Sequence, residues 1–67
     1  MSENKQAICS KLAETLKLTR QHYDLEEIKI SGDETTAVIC FNGGFEITVN
    51  VNGDSGFVMI NDILQAI

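Results

Sequence analysis

The chain has 67 residues, 43% of them apolar, and its ten acids against five bases leave a formal net charge of −5. This length makes one domain, residues 1–67, whose single core supplies roughly 3–5 kcal/mol of net stability. Residues 30–67 carry five acids and no base, which argues against direct nucleic-acid binding, because phosphate contacts need Lys and Arg.

The longest apolar run, Ala37 to Phe41, is five residues, and Phe57 to Ile60 is four, against the ~20 needed to span a bilayer. Residues 1–10 carry neither a basic nor an apolar segment of the kind that opens a secretory signal, so a soluble, cytoplasmic protein with reduced thiols is expected. With no Pro, no repeat and no low-complexity stretch, nothing marks an internal boundary.

Asn4 to Thr19 reads as a helix. Ile8, Leu12 and Leu16 recur every four residues, with Cys9, Ala13 and Thr15 beside them. Asn4 or Ser2 serves as the N-cap, and Lys17 and Arg20 suit the negative end of the helix dipole. His22 and Tyr23 are expected to close the corner that follows, with Tyr23 partly buried.

Leu25 to Ser31 reads as a strand with Ile28 and Ile30 on one face and Glu27, Lys29 and Ser31 on the other. Ser31-Gly32-Asp33-Glu34 is a turn. Thr35 to Phe41 is β-branched and apolar on both faces, as a middle strand should be. Asn42-Gly43-Gly44 is the strongest turn signal, because Asn and Gly tolerate positive φ. Phe45 to Asn52 alternates, with Phe45, Ile47, Val49 and Val51 facing a core.

A three-residue loop would pair Phe41 with Phe45 and send Ala37 and Ile39 inward with Ile47 and Val49. A two-residue loop would bury Val38 and Cys40 instead. The first buries the larger pair, Ile39 and Phe41, and is preferred. It leaves Val38 and Cys40 as a small apolar spot on an otherwise polar sheet face.

Asn52 to Gly56 forms a second turn, and a helix runs from Ser55 or Gly56 to Ala66, capped by Asp54 or Ser55. Phe57, Ile60, Ile63 or Leu64, and Ile67 mark its expected buried stripe, with Met59 at the edge. The order α-β-β-β-α predicts an α+β, two-layer domain: a three-stranded antiparallel meander with both helices on its apolar face.

No motif assembles a catalytic centre. Gly53-Asp54-Ser55-Gly56 resembles the nucleophile segment of chymotrypsin-like proteases, but His22 is the single His and that fold needs a far longer chain. Asn50, Asn52 and Asp54 share the opening spacing of a calcium loop. Ser55 stands where its Gly is needed and Asn61 where its bidentate Glu is needed. Cys9, Cys40 and His22 lack the spacing of zinc ligands. Glu26 and Glu27, adjacent on a strand, point to opposite faces and cannot share a substrate. No Gly-rich phosphate loop is present, and Asp54 and Asp62 oppose anion binding at the last helix's start. No catalytic residue, cofactor or metal is therefore expected.

The α-β-β-β-α layout is similar to that of the double-stranded-RNA-binding domain, whose second helix opens on lysines. The corresponding Ser55-Gly56-Phe57-Val58-Met59-Ile60-Asn61-Asp62 has no base, so the resemblance supports the fold and speaks against the activity. The segment Val49 to Ile63 also resembles the C-terminal half of small proteins of prophages and mobile elements in Gram-positive bacteria, which read VN-V-x-x-DSG-x-x-MI-x-DI. That resemblance implies an accessory role such as inhibition of a host protein.

Two expectations follow. The first is a non-enzymatic protein-binding domain that meets a basic partner through Asp33, Glu34, Glu46, Asp54 and Asp62. The second is a homodimeric structural module that associates through the sheet face (Val38, Cys40, Thr48) or an edge strand, which would add burial to a small core.

Overall fold

A computed structural model describes residues 4–67 of the chain. The elements are α1 (Lys5–Lys17), β1 (Leu25–Ile30), β2 (Thr36–Phe41), β3 (Glu46–Asn50) and α2 (Gly56–Ala66), in the expected order. The strands form one antiparallel sheet in the order β1-β2-β3.

Helix α1 starts where a side chain can satisfy its free N–H groups. Asn4 Oδ1 accepts a 3.0 Å hydrogen bond from the Ala7 N–H, and the alternative cap, Ser2, lies outside the described residues. The helix ends at Lys17, short of the expected Thr19, because the next two N–H groups, of Leu18 and Thr19, donate to the carbonyls only three residues back, Thr15 and Leu16, at 3.1 and 3.0 Å. Cys9, Ala13 and Leu16 form its buried stripe, with Ile8 and Leu12 packed alongside.

Strand β1 carries a bulge. Leu25 pairs with Phe41 and Glu27 with Cys40, so Glu26 is an extra residue. Leu25 and Ile28 are three apart and would otherwise face opposite sides; the bulge puts both into the core. Strand β2 pairs with β3 in the preferred register, with Ala37 opposite Val49 and Ile39 opposite Ile47. The Phe41 N–H donates to the Phe45 carbonyl at 2.8 Å, closing the three-residue loop. Gly43 and Gly44 sit there at φ 93° and 91°, a conformation that side chains with a Cβ avoid.

The turn between β1 and β2 is organised by Asp33. Its carboxylate accepts from the Ser31 hydroxyl at 2.7 Å, the Thr35 hydroxyl at 2.8 Å and the Thr35 N–H at 3.2 Å. The next residue, Glu34, is held at φ 60°, a left-handed conformation disfavoured for any residue with a Cβ. Glu34→Gly is therefore expected to stabilise the fold by about 0.5–1 kcal/mol, the relief of that strain less the extra freedom Gly has when unfolded. Urea unfolding followed by circular dichroism measures the difference.

Helix α2 is capped by Ser55, whose hydroxyl oxygen accepts from the Val58 N–H at 3.2 Å. Its buried stripe matches the expected one at Ile63 and departs from it elsewhere. Gly56, Met59 and Ile63 point inward, Ile60 and Ile67 are half-buried, Phe57 is 82% exposed and Leu64 is 45% exposed. The helix is apolar on two adjacent faces, and the flexible Met59 reaches the core beside Cys9, with the two sulfur atoms 3.9 Å apart. Tyr23 and Phe45 also depart from expectation, at 73% and 62% exposed; Phe45 sits at the hairpin loop, beyond the reach of the helices.

The core unites both helices with one face of the sheet. Cys9, Ala13 and Leu16 of α1 meet Leu25, Ile28, Ala37, Ile39 and Val51, and Met59 and Ile63 of α2. The opposite sheet face carries no layer from the described residues.

Candidate functional site

Two surfaces hold the residues that sequence marks for function. One is the uncovered sheet face. Strand register sets Glu27, Cys40 and Glu46 in one row and Lys29, Val38 and Thr48 in the next. Val38 and Thr48 are thus direct cross-strand neighbours, with Cys40 one row away. Lys29 Nζ lies 3.5 Å from Glu27 Oε2 across the front of this face.

Cys40 is 6% exposed despite facing away from the core, because its neighbours cover it, and its thiol donates to Glu46 Oε2 at 3.6 Å. It is therefore a covered atom under a carboxylate and not an open apolar spot. Burial, together with the Glu46 charge and hydrogen bond, pushes the Cys40 thiol up, with Lys29 opposing. Cys9, in the core, is also raised by burial. Both cysteines are free, both stay thiols at neutral pH, and neither has the electropositive surroundings that make a nucleophile.

The second surface is the end of the sheet that holds the β1–β2 and β3–α2 turns. Asp33 and Glu34 sit in the first turn and Asp54 in the second, and Thr36 pairs with Asn50 between them. Asp62, on α2, brings its carboxyl beside Asp54. Glu46 stands apart: it pairs with Cys40, four residues along β2 from Thr36, or roughly 13 Å. The expected acidic set is thus split four to one.

The acids at this end are held differently. Hydrogen bonds from Ser31 and Thr35 keep Asp33 below the usual carboxylate range. Asp54 is pushed above it by the neighbouring Asp62 carboxyl and by loss of water, with Lys5 opposing. Its Oδ2 is buried and receives no hydrogen bond. The signs follow from linkage. The Asp33 contribution to stability is present above the ordinary carboxylate pKa and fades as pH falls through its lowered value. The Asp54 proton is favoured in the fold, so that contribution is present at low pH and is lost as pH rises through the raised value. Asp62→Asn removes the like charge and is expected to raise the melting temperature at pH 7. The gain should shrink as pH falls into the carboxylate range, which a melting series from pH 7 to pH 3 checks.

Sequence reasoning missed two features. The first is Gln6. Its Nε2 donates to the Ile28 carbonyl at 3.0 Å and its Oε1 accepts from the Ile30 N–H at 2.9 Å, so a helix side chain caps the outer edge of β1. An isolated Gln carries no sequence signal for this. The second is an open apolar groove of about 380 Å³ between the helices, lined by Ala7, Ile8, Lys11, Leu12, Thr15 and Ile60. It gathers no set of polar side chains that could orient a reacting group. Among the described residues, no three His, Cys, Asp or Glu side chains come together as a metal site, and no helix is long and apolar enough to cross a membrane.

No family model, curated protein or solved structure matches the chain.

Proposed function

We propose that this chain is a non-enzymatic protein-binding domain that meets a basic partner through its acidic C-terminal half. The observation that carries this reading is the grouping of Asp33, Glu34, Asp54 and Asp62 around two turns at one end of the sheet. Asp33 is already held by Ser31 and Thr35 and needs little ordering when a partner arrives. The like-charge tension between Asp54 and Asp62 is relieved by any cation placed against them, which favours a Lys- or Arg-rich surface. Complementarity of this kind speeds encounter and makes it salt-sensitive. The resemblance of Val49 to Ile63 to prophage and mobile-element proteins implies the role of an accessory or inhibitor of a host protein, in a cytoplasmic setting.

The test is affinity capture from host lysate at low and high salt. The reading requires a specific basic protein retained at low salt and released at high salt. Retention of an acidic or neutral partner, indifferent to salt, would overturn it.

A further inference from the structure

We propose that the free edge of β3 pairs with the β3 edge of a second copy, across a two-fold axis at Thr48, to make a continuous six-stranded sheet. The Phe41–Phe45 bond and the bond from the Val51 N–H to the Thr35 carbonyl, 2.8 Å each, fix the alternation of the β2–β3 ladder. Residues 45, 47, 49 and 51 turn their backbone toward β2. Glu46, Thr48 and Asn50 turn theirs away, toward the open side.

The two edges of the sheet are treated differently. At β1, Gln6 occupies the outward Ile28 carbonyl and Ile30 N–H. At β3, no described group does the same. An open edge is usually blunted by Lys, Pro, a bulge or a covering element. Strand β3, Glu-Ile-Thr-Val-Asn, has no Lys and no Pro, and its pairing with β2 is unbroken from Thr36–Asn50 to Cys40–Glu46. Its inward side chains, Ile47 and Val49, stay half-buried, whereas their β2 partners Ile39 and Ala37 are 0% exposed. The core is unfinished on this side.

A second copy is the occupant that fits. Antiparallel pairing about Thr48 sets Glu46 opposite the other copy's Asn50 and Thr48 opposite Thr48. Every outward N–H and C=O of these three residues then finds a partner, and any shifted register leaves some unpaired. The same register places Ile47 against Val49 of the other copy, extending the apolar layer. It keeps Glu46, the one charge on the strand, away from its own copy, so no like charges are directly opposed.

Thr48→Cys tests this register. Opposed residues of a hydrogen-bonded antiparallel pair lie about 5.5 Å apart at Cα, within the span of a disulfide. Mild oxidation of Thr48→Cys should give a covalent dimer of twice the 7.4 kDa chain mass. Val38→Cys, on the sheet face, should not, and the unsubstituted chain should not, because Cys9 and Cys40 are buried. Light scattering of the unsubstituted chain should give the dimer mass, and Thr48→Pro, which removes an outward N–H and no hydrogen bond to β2, should give the monomer mass with its circular dichroism retained. A monomeric mass for the unsubstituted chain at high micromolar concentration would overturn the proposal. So would a Thr48→Cys chain that fails to cross-link, or Val38→Cys cross-linking as well as Thr48→Cys. Cross-linking decides the matter even if Thr48→Pro does not fold.

Discussion

Ile39→Ala is expected to leave much of the chain unfolded at room temperature. Ile39 lies at the centre of the middle strand, fully buried, between Ile28 and Ile47 in the ladder and beneath both helices. Removing three carbons from such a site costs about 2–5 kcal/mol, the lost transfer energy plus the cavity left behind. A domain of this size has roughly 3–5 kcal/mol to lose. The comparison that isolates the cause is Val38→Ala on the same strand. Val38 faces the open side and is half-buried, so its truncation should cost under about 1 kcal/mol. Urea unfolding of the two variants therefore checks the hairpin register as well as the core. Equal losses would mean that the strand does not present one face to the helices.

The second large effect concerns charge. Glu34→Lys with Asp62→Lys is expected to reduce capture of the basic partner at low salt by at least about tenfold, the scale on which close charge pairs act at interfaces. Each reversal changes the charge by two, so the pair takes the chain from −5 to −1. The positions are chosen on structural grounds. Asp33 is avoided because its carboxylate holds the turn together through Ser31 and Thr35. Asp54 is avoided because it precedes the α2 cap. Glu34 makes no side-chain bond among those described, and a Lys at 62 would face Asp54 and relieve its tension. The doubly reversed chain should therefore fold at least as well as the parent, so lost capture reports the surface. Glu46→Lys, at the other end of the sheet, should have a much smaller effect.

The element order was legible because each element carries its own local signal. Asn-Gly-Gly demands a turn, the β-branched runs on either side demand strands, and Asn4 and Ser55 stand where helices need caps. The hairpin register was legible from volume, since only one choice turns the larger pair, Ile39 and Phe41, toward the core. The α2 stripe was legible only at Ile63, because Phe57, Ile60 and Ile63 or Leu64 make as good a helical stripe as Gly56, Met59 and Ile63. Only the tertiary approach of Met59 to Cys9 decides between them. The β1 bulge was hidden for a similar reason: nothing in Leu25-Glu26-Glu27-Ile28 announces an extra residue until Phe41 and Cys40 are set opposite.

At the candidate surfaces, charge could be counted from sequence but not placed. Five acids read as one half of the chain, and the antiparallel meander sends four to one end and Glu46 to the other. Cys40 read as part of an open patch, and the Glu46 carboxylate that covers it arrives from the neighbouring strand.

The claim that an acidic end of the sheet is the working surface is tested most directly by a salt titration of binding. The captured partner is titrated with the parent chain and with the Glu34→Lys, Asp62→Lys chain across one ionic-strength series. Parent affinity is expected to fall steadily as salt rises, and variant affinity to be weak throughout with a shallow slope. Equal affinities for the two chains, insensitive to salt, would contradict it.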